Sequence, residues 1–151
     1  MTGQIRAMEV YDIPRVLEIE KESFTNPWSE QSFLMELENP ISQMLVLETD
    51  GQIAGIICYW MVLDEIHLLN IAIAGEERGK GYARFLLHAM QAHAEENGST
   101  SVVLEVRENN ERAIRLYERF GFSQVGRIAN YYPEDKQDAL VMRKEMKWTN
   151  R

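Results

Sequence analysis

One cysteine, four prolines and nine glycines in 151 residues leave little of the material from which several protein classes are built. A lone Cys58 cannot close an internal disulfide, so the fold must rest on its apolar core, and a reducing compartment is the expectation. No apolar run approaches the roughly 20 residues that span a bilayer. The N-terminus has no basic segment leading into an apolar stretch, so a cytoplasmic protein without a membrane partner is expected. Basic charge is scarce. The 16 Lys and Arg stand against 24 Asp and Glu, and a formal charge of -8 repels nucleic acid and anionic lipid while attracting basic peptides. Repeats, low-complexity tracts and linkers are missing too, which predicts a single domain over 1–151.

What is present is apolar material, 45% of the residues, arranged with clear periodicity. A strand is expected over 4–8. Asp12 is placed to cap a helix that tolerates Pro14 in its first turn and turns Ile13, Val16, Leu17 and Ile19 inward. Asn26-Pro27-Trp28-Ser29 reads as a turn into a second helix, with Ser29 as N-cap, Phe33, Leu34 and Leu37 inside, and Asn39-Pro40 as the stop. Asp50-Gly51 predicts a hairpin between strands 43–49 and 53–62, and 66–74 continues the sheet. A helix over 81–97, with Tyr82, Phe85, Leu86, Ala89 and Met90 inward, stops at Gly98 and leads to a strand over 101–107. That helix is a crossover, so the strands on either side of it should be parallel. A helix over 110–120 and strands over 122–128 and 139–147 complete an α/β fold, a mixed, mostly antiparallel sheet flanked by about four helices.

Two segments suit one extended ligand. Arg78-Gly79-Lys80-Gly81-Tyr82-Ala83 lies between a buried strand and a helix, where free backbone N–H groups and the helix dipole bind phosphate oxygens and glycine permits close approach. Arg78, Lys80 and Arg84 add positive charge. Farther on, Asn110 and Tyr117 are seven residues apart, which places them on one helix face about 10.5 Å apart along the axis. The bland readings are an N-cap asparagine and a core tyrosine. His67, His88 and His93 make no metal site, because the helical pair is five apart rather than four, so no catalytic metal is expected. Cys58, inside an apolar strand, reads as a small core residue and not as a nucleophile.

These residues resemble the GNAT acetyltransferase superfamily, through Arg78, Gly81 and Ala83 of its loop pattern. They resemble more closely the RimI-type protein N-terminal alanine acetyltransferases. That likeness is carried by Asn26-Pro-Trp-Ser29, His67-Leu-Leu-Asn-Ile-Ala-Ile73, Leu104-Glu-Val-Arg107, Asn110 with Leu116-Tyr117 and Gly121-Phe122, and Asn130-Tyr-Tyr-Pro133 with Asp138-Ala139. Two features depart from the pattern: Ala74-Gly75-Glu76-Glu77 replaces a proline-containing turn, and Arg78 stands where Gln is frequent. The resemblance implies a GNAT-type twisted sheet and a transfer of acetyl from acetyl-CoA to a protein α-amino group. The typical target is the eighteenth small-subunit ribosomal protein of bacteria, met as a basic N-terminal peptide. It further implies that backbone groups of Ile71, Ala72 and Ile73 pair with the coenzyme arm, that Asn110 hydrogen-bonds it, and that Trp28, Tyr131 and Tyr132 wall the peptide groove.

Acetyl transfer of this kind asks for a neutral amine and a departing thiolate that is stabilised. A free α-amino group titrates at about 7.7–8.0, so its base need not be strong. Alternation along 102–107 puts Leu104 and Val106 on one face and Val103, Glu105 and Arg107 on the other. Spacing alone favours a surface carboxylate paired with Arg107; the Leu104-Glu-Val-Arg107 resemblance implies instead that Glu105 is the general base, a role that partial burial promotes. Asp64 and Glu65 are rival bases at a hairpin end, and Tyr117 is the expected general acid, donating a proton or a hydrogen bond to the coenzyme sulfur. Glu134, Asp135 and Asp138 are placed to draw in a basic peptide. A small-amine acetyltransferase and a catalytically silent acetyl-CoA-binding module are the alternatives to peptide transfer.

Overall fold

The computed structural model describes residues 3–147. Seven strands form one sheet: β1 (Gly3–Ala7), β2 (Ser42–Thr49), β3 (Gln52–Val62), β4 (Glu65–Ile73), β5 (Ser101–Arg107), β6 (Ser123–Tyr132) and β7 (Gln137–Glu145). Their order is β1-β2-β3-β4-β5-β7-β6, with every described neighbour pair antiparallel except β4 and β5. Four helices accompany it: α1 (Ile13–Ser23), α2 (Glu30–Glu38), α3 (Tyr82–Asn97) and α4 (Glu111–Arg119). The mixed, mostly antiparallel architecture is the one the sequence predicts.

Local chemistry fixes most boundaries. Asp50 and Gly51 both take positive φ, 52° and 79°, as a two-residue hairpin turn requires. The Ser29 hydroxyl accepts from the Ser32 N–H and starts α2. Gly98, at φ 69°, ends α3 in the left-handed conformation. Asp12 differs from its expected role. A 3-10 turn over Val10–Asp12 precedes α1, and the Asp12 carboxylate turns back to accept from the Glu9 N–H and from Arg6, each at 2.8 Å. Two side chains expected inside are out. Leu34 and Phe85 are 40% and 39% exposed, because α2 buries Phe33 alone and the buried stripe of α3 is turned away from Phe85 to take in Leu87 and Ala94.

The sheet separates two cores. Ile13, Val16, Ile19 and Phe33 of α1 and α2 pack with Val46, Ile56, Cys58 and Ala72 on one face. Tyr82, Leu86, Leu87 and Met90 of α3 and Tyr117 of α4 pack with Ile57, Leu68, Leu104 and Met142 on the other. A bulge at Leu69 governs the centre: Cys58 pairs with Asn70 but Tyr59 with Leu68, leaving Leu69 without a partner on β3. The bulge reverses which side chains face which core. Ile66 and Leu68 face the α3 side before it, whereas Ile71 and Ile73 do so after it. Ala72 joins the core under α1 and α2.

Candidate active site

The parallel ladder between β4 and β5 is short. It pairs Glu65–Leu68 with Ser101–Leu104 and stops there. Beyond that point β4 pairs only with β3, Ile71 against Ile57, Ala72 against Ile56 and Ile73 against Gly55, while β5 pairs only with β7. The two strands fork, and the backbone of β4 over 69–73 presents an unpaired edge toward the opening. Buried strand edges carry N–H and C=O groups that need partners, so this edge is a template for an extended amide-containing ligand.

At one end of the fork stands the N-terminus of α3. Gly79 and Gly81 have φ of 81° and 84°, and nothing lies within 4 Å of a side-chain carbon built on either, so the glycines serve the backbone turn rather than a shortage of space. The Gly81 carbonyl accepts the first helical bond from Phe85, which leaves the N–H groups of the first turn free of helical partners. Tyr82 is buried in the core beneath, and Ala83 is half-buried. The three cations have different surroundings. Arg78 donates to the Ile73 carbonyl at 3.2 Å, the Ser23 hydroxyl at 3.1 Å and the Glu22 carbonyl at 3.4 Å, tying the loop to α1. Lys80 pairs with Glu77, and Arg84 is exposed.

Tyr117 and Glu105 occupy opposite faces of β5 beside the fork. Tyr117 packs in the α3-side core with its ring 5.8 Å from that of Phe122. Burial holds its hydroxyl well above the usual phenol range, and no described side chain hydrogen-bonds it. Asn110 caps α4 by accepting from the Ala113 N–H at 3.2 Å, which leaves its amide NH2 uncommitted. Glu105 lies on the other face, 18% exposed, with Oε1 2.7 Å from His67 Nε2. That hydrogen bond raises the imidazole above its ordinary value, opposed by burial. His67 also meets Trp60 edge-on, with ring centres 6.0 Å apart, and Trp60 donates to Glu36 of α2 at 2.8 Å.

Arg107, weighed as the partner of Glu105, goes elsewhere. It binds Asp135 at 2.5 Å and Glu134, and its guanidinium lies 4.0 Å from the centre of the Tyr132 ring. Asp138 accepts from Arg127 and from the Asn130 N–H. Arg107 meets two carboxylates, and Arg127 meets Glu108 as well as Asp138, so the arginines orient these acids and the cluster stays net negative. Asn130, at φ 53°, sits in an irregular stretch where Ile128 pairs with Ala139 but Tyr132 with Gln137. There Tyr131 and Tyr132 meet edge-on at 5.0 Å. Burial, assisted by the Glu105 charge, raises both phenols, Tyr132 to about 12. Trp28 packs at 5.2 Å from Phe33 on the α1–α2 side, the face that also carries Glu105 and His67.

The rival bases have other partners. Asp64 accepts from the Thr100 hydroxyl, and Glu65 from Ser101 and Arg143. Cys58 is fully buried and its thiol is pushed up to about 12 by burial, which leaves no thiolate for covalent chemistry. His93 bonds Tyr59, His88 meets Phe120 edge-on, and among the described residues no cluster of three or more metal-ligating side chains occurs. His67 is the site residue that sequence reasoning misses, weighing it only as a metal ligand. Its alternation with Ile66 and Leu68 already places it on the Glu105 face of the sheet.

Known proteins share this fold and much of this sequence. The model of the acetyltransferase (GNAT) family matches residues 13–122. A ribosomal protein bS18-alanine N-acetyltransferase of Escherichia coli is 34% identical over 140 residues, 91% of this chain and 94% of that protein. A Bacillus subtilis protein, provisionally named for the same activity, is 41% identical over 139 residues, 91% of this chain and 92% of its own length. The crystal structure of the Escherichia coli ribosomal-protein-S18-alanine N-acetyltransferase superposes with a TM-score of 0.90 at 30% identity, covering 99% of this chain and 97% of that one. With a forked sheet, a glycine-bearing helix N-terminus and relatives alike along nearly the whole sequence, the chain belongs to the acetyltransferase (GNAT) family.

Proposed function

We propose that this protein transfers the acetyl group of acetyl-CoA to the α-amino group of a protein N-terminus in the cytoplasm. The N-terminal alanine of ribosomal protein bS18 is the first candidate, by analogy with the activity for which its relatives are named. The observation that carries the reading is the β4–β5 fork, with Glu105 on one face and Tyr117 on the other. A coenzyme arm laid along the open edge of Ile71, Ala72 and Ile73 from the α3 side meets an acceptor entering from the α1–α2 side. The N–H groups at Gly79–Arg84 suit its phosphates and the Asn110 amide suits its amide carbonyls.

The chain's own groups then divide the work. Glu105, directly or through water, takes the proton that the amine loses as its nitrogen bonds to the carbonyl carbon and the carbon–sulfur bond breaks. His67 fixes the carboxylate by its 2.7 Å hydrogen bond. A thiol titrates at about 8.5, well below the raised Tyr117 phenol, so Tyr117 donates a hydrogen bond to the departing sulfur and keeps its proton. The buried Cys58 leaves direct transfer as the route, without an acyl-cysteine. Trp28, Tyr131 and Tyr132 flank the acceptor side, and the overall charge of -8 favours a basic peptide over an acidic one.

An acceptor panel tests this. Thiol release from acetyl-CoA is followed with a basic peptide carrying a free N-terminal alanine, with a polyamine and with an amino-sugar. Release only with the peptide is expected. Preference for either small amine would replace the peptide reading, and coenzyme binding without release for any acceptor would leave a silent binding module.

A further inference from the structure

Among the described residues two carboxylates are buried, Asp12 and Glu20. Asp12 has Arg6 against it. Glu20, 1% exposed, has no cation, and its carboxyl is raised by burial, offset by two hydrogen bonds. Those bonds go in different directions. Oε2 accepts the Trp28 N–H at 3.0 Å, in the loop between α1 and α2, and Oε1 accepts from Asn70 Nδ2 at 2.9 Å, on β4 directly after the bulge. Because a carboxylate only accepts, it obliges Asn70 to present its NH2, and Asn70 Oδ1 is left buried without a partner.

This arrangement is expensive for the core it occupies. A buried charge without a counter-ion and an orphaned amide oxygen are both unfavourable, and an apolar pair at positions 20 and 70 would fill the same space without either, leaving only the Trp28 N–H to find another partner. Stability therefore does not account for Glu20. Its connections do. One end of the tie is the loop that carries Trp28, on the sheet face of Glu105; the other is the residue that precedes the open edge Ile71–Ile73.

We infer that Glu20 is a positioning residue for the acceptor. It locks the Trp28 loop to the bulged strand, so that the acceptor wall is held in register with the edge along which the coenzyme arm lies. This rests on the function proposed above for the fork. Charge-assisted bonds from one rigid carboxylate fix both distances at once, which neutral packing in a loop cannot do.

The test compares Glu20→Leu, which fills the site but removes both bonds, with Glu20→Gln. The introduced amide accepts the Trp28 N–H through its oxygen, and an overturned Asn70 amide accepts from its NH2, so this variant keeps the tie. With the alanine peptide as acceptor, Glu20→Leu is expected to raise the peptide KM about tenfold, leaving kcat and the acetyl-CoA KM within about twofold. Glu20→Gln is expected to recover most of that loss. Amide hydrogen exchange should show faster exchange confined to residues 24–29 in Glu20→Leu and not in Glu20→Gln. A Glu20→Leu protein with wild-type peptide KM overturns the inference, as do equal losses in both variants spread over both substrates, or faster exchange throughout the chain. Should Glu20→Leu not fold, Asn70→Val cuts only the strand end of the tie and must show the same selective rise in peptide KM. If the wild-type chain acetylates no peptide, the functional reading has failed, while the exchange pattern still decides whether Glu20 holds the loop.

Discussion

Replacing Glu105 by Gln separates chemistry from structure more cleanly than any other change at the site. The side chain keeps its shape and can still hydrogen-bond His67, but it loses the capacity to accept a proton. Loss of a positioned general base costs about 10²–10⁴ in turnover, or about 2.7–5.4 kcal/mol of barrier. The effect on stability runs on another scale. The hydrogen bond to Glu105 raises His67 above its ordinary value, so the pair stabilises the fold fully below the unfolded imidazole pKa of about 6.5, and that contribution disappears as pH rises through the raised folded value. With His67 30% exposed, solvent screening keeps the contribution to about 1 kcal/mol or less. Glu105→Gln should therefore unfold slightly more easily than wild type at pH 5.5 and equally at pH 9, while its turnover is low at both. Thiol release with the alanine peptide gives the first readout, denaturant unfolding at the two pH values the second, and the His67 ring resonances the third, their midpoint falling in the variant. Full turnover in Glu105→Gln, or an unchanged His67 midpoint, would refute the assignment of the base and its partner.

Other changes test the surrounding parts. Tyr117→Phe removes a hydroxyl with no described intramolecular partner, so stability should hold within about 1 kcal/mol while kcat falls about tenfold to hundredfold, about 1.4–2.7 kcal/mol of barrier. An added carbon at Gly55 would stand 2.7 Å from Ile73 Cδ1 and 3.1 Å from the Ala72 carbonyl; Gly55→Ala should cost about 1–3 kcal/mol in a denaturant melt and raise the acetyl-CoA KM by displacing the open edge. Asp12, held below the usual carboxylate range chiefly by its hydrogen bond to Arg6, stabilises the fold above an unfolded pKa of about 3.9 and loses that effect as pH falls through its lower folded value. Asp12→Asn should thus be about 1–3 kcal/mol less stable at pH 7, with the gap to wild type closing in acid.

What sequence periodicity can and cannot reveal follows from which contacts are local. The Asp50-Gly51 hairpin, the Ser29 cap and the Gly98 stop depend on neighbours in the chain and are legible there. Alternation along 102–107 correctly puts Glu105 opposite Leu104 and Val106. The bulge at Leu69 is not legible, because apart from Asn70 the segment 68–74 is apolar on both faces and gives no alternation to be broken. The His67–Glu105 pair depends on the register of two strands separated by a whole helix, which no local pattern encodes. Arg107 is a reasonable partner for Glu105 by proximity in sequence, but the turn after Tyr132 folds Glu134 and Asp135 onto it. Glu20 is visible in principle: it continues the inward stripe of Ile13 and Val16 at helical spacing, a carboxylate where an apolar side chain belongs.

Transfer to a free protein N-terminus is tested most directly by tandem mass spectrometry of a basic peptide with a free N-terminal alanine, incubated with the protein and acetyl-CoA beside the same peptide blocked at its N-terminus. One acetyl group on the N-terminal residue of the free peptide, and none on the blocked one, is the expected result. Acetylation of lysine side chains in both peptides, or of neither peptide while acetyl-CoA is bound, would contradict it.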